Sequence, residues 1–343
     1  MDKCLVAMSG GVDSCVCALL IKDKFSYCEG GTMRLCRKES TNQDIKDAKD
    51  VCDKLGISFN LFGLTDEFEE KIIKNFINEY ENGLTPNPCI NCNKEMKFDM
   101  FLEKAEELGF THIATGHYAR VTFENGKYHL KKAVDESKDQ SYVLYSLTQE
   151  QLSKVLFPLG EFSKAEIRKM AEEKGLITAH KSDSQDICFI PDGDYAKFIE
   201  EYTGKTYESG EFCDLEGNIL GKHSGIIKYT TGQRRGLGIS APTPLYVHHK
   251  DMKENKVYVS TNDKLFESTL YADNVNLIDC DDINEPRRVL AKIRYKHKEA
   301  PATAIIENGI LKVTFDEPQR AITKGQAVVL YDGDTVVGGA TIL

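Results

Sequence analysis

The chain has 343 residues, of which 41% are hydrophobic, so it is long enough to bury a substantial core and to form two or three domains. No apolar run approaches the roughly 20 residues of a membrane span, and the first residues enter a strand pattern at once, which leaves no room for a targeting peptide. We therefore expect a cytoplasmic monomer with no membrane partner. The formal net charge of −10 excludes a surface covered with Lys and Arg for nonspecific binding of nucleic acid, so any RNA site must be a local patch.

The N-terminal part alternates short apolar strands with amphipathic helices. KCLVAM predicts a strand, SGGVDS a glycine-rich turn and SCVCALLIKD a helix. Apolar residues at helical spacing predict further helices over 41–55, after Thr65 as a cap, and over 94–109, with the strands ISFNLFGL and THIATG between them. Ser163 and Glu166 have capping-box spacing ahead of another helix. This alternation predicts an α/β fold with a Rossmann-like parallel sheet between helical layers.

The character of the sequence changes after about residue 200. Short β-rich runs such as GIIKYTTG and PLYVHH are separated by Gly, Pro and Asn turns, and a further β-rich stretch begins near Leu270. We predict three domains: a catalytic α/β domain (1–203), a small β-rich connector (204–268) and a C-terminal β-barrel (269–343).

One short segment is a candidate RNA-binding patch. KIRYKHK places Lys292, Arg294, Lys296 and Lys298 at alternating positions, and hence on one face if the segment is a strand. The alternative is an ordinary solvated strand face.

Most of the eleven cysteines are expected to be free thiols, because a chain without a secretory signal folds in a reducing compartment. Buried free cysteines behave as small hydrophobic residues. That interpretation applies to five that lie in or near strand and helix patterns, namely Cys4, Cys15, Cys17, Cys28 and Cys52.

Residues 9–14, SGGVDS, form a glycine loop between the first strand and the first helix. Main-chain N–H groups and a helix N-terminus in such a loop favour an anion, and the first strand–helix junction is where α/β sheets bind ligands. The Walker pattern is absent, and the loop contains no lysine. A tight turn without a ligand is the alternative, and we favour a phosphate site.

Cys89 and Cys92 have C-x-x-C spacing after two prolines, at the predicted start of a helix. A structural zinc site needs a second pair at similar spacing, which the sequence lacks, and a thioredoxin-like pair would follow the first strand. The third interpretation is a nucleophilic thiol whose pKa the helix N-terminus lowers.

The glycine loop resembles the SGGxDS loop of the PP-loop ATP pyrophosphatases, which adenylate a carbonyl oxygen and expel pyrophosphate. GHY, with Gly116 and His117 after the strand THIAT, recurs in that superfamily. TPNPCINCNKEMKF, KDQSY, SDSQDICFI, TTGQRRGLG and the pair RY together resemble the tRNA-specific 2-thiouridylases, the MnmA family, over essentially the full length.

This resemblance implies a role for many residues. It makes Cys92 the nucleophile and Cys188 the carrier of a persulfide, and the two would form a transient disulfide. It implies that ATP contacts Ala7, Met8, Ser9, Gly10, Gly11, Val12, Asp13, Ser14, Met33 and Gly116. It implies that tRNA contacts Asn87, Pro88, Cys89, Lys138, Asp139, Gln140, Arg294 and Tyr295.

The implied reaction is adenylation of the C2 carbonyl of the wobble uridine, position 34, followed by transfer of persulfide sulfur and release of AMP and pyrophosphate. ATP with Mg²⁺, tRNA, and a cysteine desulfurase or sulfur-relay protein are the implied cofactors and partners. Many relatives have aspartate where this chain has Cys89, and a thiol does not reproduce a carboxylate in acid–base chemistry. Cys89, Cys92 and Cys188 could alternatively hold a metal or an iron–sulfur cluster. Rival functions are a PP-loop ligase, which needs no cysteine, and a non-catalytic RNA-binding protein.

Overall fold

A computed structural model describes residues 2–36, 40–176 and 187–343. Residues 182–186 of the second cysteine motif lie outside the described residues. Within the described part of the chain, no helix is both long and apolar enough to cross a bilayer.

The N-terminal part is a five-stranded parallel sheet in the order β3-β2-β1-β4-β7, with helices packed against it. Its strands, with a β-hairpin formed by β5 and β6, are β1 (Lys3–Ala7), β2 (Tyr27–Arg34), β3 (Phe59–Gly63), β4 (His112–Ala114), β5 (Ala119–Glu124), β6 (Lys127–Lys132) and β7 (Val155–Leu156). Its helices are α1 (Val12–Lys24), α2 (Ser40–Leu55), α3 (65–81, as Thr65–Phe68, Glu69–Ile73 and Lys74–Glu81), α4 (88–107, as Pro88–Asn91, Cys92–Met100 and Phe101–Glu107), α5 (Gln149–Lys154), α6 (Lys164–Glu173) and α7 (Tyr195–Thr203).

Two predicted helix starts have different outcomes. The capping box before α6 is confirmed, because the Glu166 N–H donates to Ser163 Oγ at 3.3 Å and the Ser163 N–H donates to Glu166 Oε2 at 2.8 Å. The expected cap at Thr65 is wrong: Leu64 occupies the N-cap position of α3. The Thr65 hydroxyl instead donates to the Arg34 carbonyl at 3.1 Å, which ties the helix start to the end of β2.

The C-terminal half consists of two β structures. The connector sheet has the order β10-β11-β8-β9, from β8 (Gly210–Cys213), β9 (Ile219–His223), β10 (Tyr246–Asp251) and β11 (Lys256–Ser260). Six further strands form a barrel that the pairing of β12 with β17 closes. They are β12 (Phe266–Leu277), β13 (Arg287–Lys292), β14 (Ala300–Glu307), β15 (Ile310–Arg320), β16 (Ala327–Asp332) and β17 (Thr335–Ile342).

This architecture confirms the predicted fold class. The hairpin of β5 and β6 extends the barrel sheet, because Lys131 of β6 pairs with Thr335 of β17. The exact division at 203 and 268 stays a prediction, since β12 begins at Phe266, before the predicted start of the barrel. The five cysteines expected in the core are all buried free thiols, as predicted.

The basic segment from Lys292 to Lys298 is not a strand, so the alternating face proposed for it does not exist. β13 ends at Lys292, and a turn follows in which the His297 N–H donates to the Arg294 carbonyl at 3.1 Å. Arg294 ends the pairing because its guanidinium is drawn inward, where it donates to the Ala321 carbonyl and to Thr323 Oγ1 at 2.6 and 2.5 Å.

Candidate active site

The glycine loop joins β1 to α1 and leaves the start of that helix open. Gly10 has a φ of +74°, and a Cβ there would lie 2.4 Å from the Asp44 carbonyl oxygen, so only glycine fits. Gly11 is the N-cap residue and supplies no side-chain cap, while the Ser14 hydroxyl turns back to the Gly11 carbonyl at 3.0 Å. The first main-chain N–H groups of α1 therefore point to a site suited to an anion.

A second loop, after β4, packs directly on the first turn of α1. A Cβ on Gly116 would lie 2.9 Å from both the carbonyl carbon of Asp13 and the nitrogen of Ser14, so this close approach also requires glycine. Met33, near the end of β2, lies half-buried beside the same end of the sheet. The carboxyl ends of β1, β2 and β4 thus bring together the three segments expected to contact ATP.

His117 of the second loop lies in the protein interior. Its ring packs between Phe98 and Phe157, with centroids 5.7 and 5.9 Å away. The Lys97 ammonium donates to Nε2 at 3.3 Å, so Nδ1 carries the proton that it shares with Thr115 Oγ1 at 2.6 Å. Burial, and then Lys97, hold the pKa of His117 well below its usual range, which keeps the ring neutral.

Asp13 of the glycine loop is bound by two side chains that the sequence did not single out. The Lys164 ammonium lies 2.8 Å from each carboxylate oxygen, and the Tyr118 hydroxyl donates to Oδ1 at 2.7 Å. Lys164 is the first residue of α6 and is only 9% exposed. A cation at the positive end of a helix dipole is unfavourable, and that position was the signal available in the sequence.

The two cysteines of the C-x-x-C pair lie one turn apart at the start of α4. The Asn87 side chain caps this helix by accepting from the Cys89 N–H at 3.2 Å. Cys89 is exposed, whereas Cys92 is half-buried against an apolar cluster that contains Phe68, Phe76 and Phe189.

The expected lowering of the Cys92 pKa is wrong. Burial raises the pKa of this thiol to about 11, and the charge of Lys97 offsets only part of that rise. Cys92 lies a full turn inside α4, where the helix dipole is weaker than the cost of removing a thiolate from water. Lys97, one and a half turns further along α4, is therefore the cation that favours the Cys92 thiolate.

Cys188 lies close to Cys92 in space. It is exposed, but its neighbours Phe189 and Ile190 are buried in the same apolar cluster as Cys92, and the Phe189 ring packs on Phe68 and Phe76 of α3 at 5.8 and 5.4 Å. Although the residue as a whole is exposed, partial removal of its thiol from water raises the pKa of Cys188 to about 12, and the charges of Cys92, Cys36 and Cys89 add to the rise.

Cys36 also belongs to this group of thiols, which the sequence did not indicate. It packs on the same apolar cluster and its charge acts on the pKa of both Cys92 and Cys188. All four are free thiols. Among the described residues, no group of three His, Cys, Asp or Glu side chains is arranged to hold a metal ion.

Two of the residues expected to contact tRNA are engaged within the fold. The Asp139 carboxylate accepts from the Ala133 and Ser141 N–H groups at 3.1 and 3.2 Å. Gln140 Oε1 accepts from the Tyr118 N–H at 3.0 Å. Both residues are half-buried, and their side chains hold the segment from Lys138 to Ser141 in place.

The barrel brings Tyr295, another of these residues, and its neighbour Lys292 to the same region. Tyr295 is exposed, and its hydroxyl donates to the Asp139 carbonyl at 3.3 Å. Lys292 lies over the Tyr295 and Tyr142 rings, 5.7 and 5.8 Å from their centroids. Burial, Asp139 and Cys89 raise the pKa of Tyr295, so this ring stands near the exposed thiol of Cys89.

Three family models together match almost the whole chain. Their descriptions are "tRNA methyl transferase HUP domain" over residues 2–192, "tRNA methyl transferase PRC-barrel domain" over 196–261 and "Aminomethyltransferase beta-barrel domain" over 267–342. The protein named tRNA-specific 2-thiouridylase MnmA in Clostridioides difficile (strain 630) is 46% identical over 99% of this chain and 98% of its own length.

The chain belongs to the tRNA-specific 2-thiouridylase MnmA family. The members named so in Acetivibrio thermocellus and Clostridium acetobutylicum are each 47% identical, over 99% of this chain and 99% of their own lengths. The family resemblance drawn from the glycine loop and the two cysteine motifs is thereby confirmed.

Proposed function

We propose that this chain is an ATP-dependent tRNA 2-thiouridylase that acts on the wobble uridine. One observation carries the proposal: Cys188 precedes Phe189 and Ile190, which are buried in the apolar cluster on which Cys92 packs, and the charge of Cys92 raises the pKa of Cys188. Two thiols from distant parts of the chain thus lie near each other in the domain that also holds the open glycine loop. Family membership supports the same reaction. Methyl transfer, the reaction in two of the model descriptions, would leave a phosphate-binding loop without a role.

The first step is activation of the base. The glycine loop holds the phosphates of ATP through main-chain N–H groups, and O2 of an extruded uridine attacks the α-phosphorus. The bond from the α-phosphorus to the bridging oxygen breaks, and pyrophosphate leaves. C2 then carries AMP, a far better leaving group than the original carbonyl oxygen.

The second step delivers sulfur. A desulfurase or relay protein leaves a persulfide on Cys188, whose terminal sulfur attacks C2 and displaces AMP. The Cys92 thiolate then attacks the Cys188 sulfur, which breaks the S–S bond, releases 2-thiouridine and leaves a Cys92–Cys188 disulfide for a dithiol reductant to reopen. In the alternative order, Cys92 attacks the persulfide first, and the hydrosulfide so released attacks C2.

The residues do not fit a resident metal. Asp13 is the acidic group of the glycine loop, and its carboxylate is bound by Lys164 and Tyr118. The described thiols are not arranged as a three-ligand cluster site. Mg²⁺ is therefore expected to arrive with ATP as part of the substrate, and the proposed steps use only the thiols.

The proposal assigns tRNA to the face that Cys89 and Tyr295 share. Asn87, Pro88 and Cys89 begin α4 beside the thiols, and Lys138 and Arg294 adjoin the segment that Tyr295 contacts. A tRNA substrate and working free thiols suit a reducing cytoplasm, and we expect the protein to act there as a monomer.

Nucleoside mass spectrometry tests the reaction directly. The protein is incubated with ATP, a cysteine desulfurase with cysteine, a dithiol reductant and unmodified tRNA. We expect 2-thiouridine from the wild type, none from Cys188→Ser or Cys92→Ser, and wild-type levels from Cys280→Ser, a half-buried thiol in the barrel. Pyrophosphate release without 2-thiouridine in the wild type would contradict the proposal and favour a PP-loop ligase.

A further inference from the structure

We propose that Tyr118 is a positioning residue that couples tRNA binding to ATP binding, so that each substrate tightens the binding of the other. The inference rests on the proposed function, because it takes tRNA and ATP as the two ligands. It assigns to Tyr118 a role between the two sites, in contact with the glycine loop at one end and with the tRNA-facing segment at the other.

The first link joins Tyr118 to the glycine loop. Tyr118 is 3% exposed, and its hydroxyl donates to Asp13 Oδ1 at 2.7 Å. Asp13 is the second residue of α1, within the turn whose N–H groups face the phosphate site. A displacement of the Tyr118 ring therefore acts on the geometry of that turn.

The second link consists of two hydrogen bonds between Gln140 and the main chain of Tyr118. The Gln140 N–H donates to the Tyr118 carbonyl at 2.8 Å, and the Tyr118 N–H donates to Gln140 Oε1 at 3.0 Å. Because Gln140 bonds both the main-chain N–H and the carbonyl of Tyr118, we expect the two residues to move together.

The third link joins Gln140 to the barrel. The preceding residue, Asp139, accepts at its carbonyl from the exposed Tyr295 at 3.3 Å. The following residue, Ser141, shares a hydrogen bond of 3.3 Å with the Tyr331 hydroxyl. RNA that displaces Tyr295, or draws it onto a base, thus changes the support of the segment that holds Tyr118.

Asp13 also has a second arrangement available to it. Oδ1 accepts from both Tyr118 and Lys164, and Lys164 reaches Oδ2 as well. If the Tyr118 hydroxyl withdraws, the carboxylate keeps a charged partner and turns toward it. The proposed coupling thus needs a second state of this carboxylate, bonded to Lys164 alone, whose population tRNA binding would change.

Equilibrium binding tests the coupling. Titration calorimetry measures the affinity for α,β-methylene-ATP, in which the bond to be cleaved is blocked, with and without saturating unmodified tRNA. We expect the wild type to bind the analogue about tenfold more tightly with tRNA, within the range of ordinary allosteric coupling. The analogue must tighten tRNA binding by the same factor, because the linkage is reciprocal.

Tyr118→Phe removes the hydroxyl and keeps the ring. In this variant we expect tRNA to change the affinity for the ATP analogue by less than about twofold, because the hydrogen bond from Tyr118 to Asp13 is lost. The melting temperature separates this effect from general damage to the fold, because the loss of one hydrogen bond should lower it by only about 2–4 °C in a chain of this size.

The chain offers a matched pair of glutamine variants as a control. The Gln149 side chain bonds both main-chain groups of Tyr128, at 2.9 and 2.7 Å, and also reaches the barrel at the Ile278 carbonyl. The Gln140 side chain bonds the N–H of Tyr118 alone, so Gln140→Ala removes that bond and keeps the one from the Gln140 main-chain N–H. Gln140→Ala should lose the coupling, whereas Gln149→Ala should keep it.

The outcomes separate this inference from the proposed reaction. Three results would each overturn the coupling role of Tyr118. In the first, tRNA leaves the affinity of the wild type for the ATP analogue unchanged, a ratio of one. In the others, Tyr118→Phe keeps the wild-type ratio, or both glutamine variants lose the coupling equally. Formation of 2-thiouridine together with a ratio of one contradicts the coupling alone. A tenfold ratio without any 2-thiouridine contradicts the proposed reaction alone.

Discussion

Lys97 lies between the thiols and the histidine of the site. Its ammonium is 3.3 Å from His117 Nε2, and its charge lowers the pKa of Cys89 and Cys92 against the larger effect of burial. The nucleophile is the thiolate and not the thiol. Lys97 therefore increases the fraction of Cys89 and Cys92 that is ionised, and hence reactive, near neutral pH.

Lys97→Met should therefore slow the sulfur-transfer step. Loss of the cation raises the thiol pKa, and a rise of one unit lowers the thiolate fraction about tenfold below that pKa. We expect the pH–rate profile of 2-thiouridine formation to move to higher pH, and Cys92 to be alkylated about tenfold more slowly at pH 8. Lys94→Met, which removes an exposed cation from the same helix, is the control. If the wild type and Lys97→Met had the same pH–rate profile, Lys97 would not be the cation that favours the thiolate.

Lys164 stabilises the glycine loop through its ion pair with Asp13. Lys164→Met removes the charged partner of the half-buried Asp13 carboxylate. We expect this loss to lower the free energy of unfolding by about 1–3 kcal/mol. Urea unfolding of the purified variant measures this cost. Lys169→Met breaks only an exposed pair of 3.8 Å with Glu173 and should stay within about 0.5 kcal/mol of the wild type. If both variants unfolded at similar urea concentrations, the ion pair between Lys164 and Asp13 would not stabilise the fold.

At the scale of secondary-structure elements, the nucleotide site depends on the contact between the loop after β4 and the first turn of α1. The sequence predicted both elements and the loop glycines, because strand and helix periodicity and a glycine turn are local patterns. It did not predict how closely they approach, since that distance is set by the pairing of β1 with β4 in the sheet.

Gly116→Ala tests this contact. The new Cβ would meet the main chain of Asp13 and Ser14 at 2.9 Å, so the loop or the helix start must move. We expect the affinity for ATP to fall at least about tenfold, since a displaced turn no longer presents its N–H groups to the phosphates. Gly221→Ala, in β9, where no atom lies within 4 Å of the added Cβ, should bind ATP as the wild type does. Unchanged affinity in Gly116→Ala would place the phosphates elsewhere.

The basic segment after β13 shows the opposite case at this scale. Its alternating charges matched a strand, yet Lys292 stacks on two tyrosines and Arg294 is drawn to the carbonyl of Ala321. Tyr142 and Ala321 come from other parts of the chain, so a pattern of period two could not reveal these contacts.

At the scale of the whole molecule, buried thiols make stability depend on alkaline pH. Burial raises the pKa of Cys4 and Cys17 far above the usual range and that of Cys52 to about 12. In the unfolded chain these thiols ionise near pH 8.5. Below that pH both states are protonated, and above it only the unfolded state loses protons, so stability falls as pH rises.

We expect each such thiol to lower the unfolding free energy by about 1.4 kcal/mol per pH unit above pH 9, and Cys92 and Cys188, whose pKa values are also raised, add to the slope. Urea unfolding at pH 8, 9 and 10 under reducing conditions measures the slope. Cys52→Ala should make the slope less steep by about 1.4 kcal/mol per pH unit. A free energy that stays constant from pH 8 to 10 would show that these thiols ionise in the folded protein.

The sequence by itself predicted the class of fold, several strands and helices of the α/β domain, the glycine loop and the two cysteine motifs. These features rest on interactions between near neighbours: glycines that permit a turn, a capping box at Ser163, and apolar residues that repeat with the period of their element. Motifs of this kind also indicated the family, which whole-chain relatives then confirmed.

Only the tertiary structure decided which side chains share a site and how strongly the site perturbs them. Lys164 reaches Asp13 across 151 positions. The packing of Cys36, Cys92 and Phe189 in one apolar cluster brings Cys188 near Cys92. The rise in the Cys92 pKa has the same origin, because removal from water by an apolar cluster outweighs the local helix dipole. Such effects depend on distances between remote segments, and no local pattern in the chain encodes them.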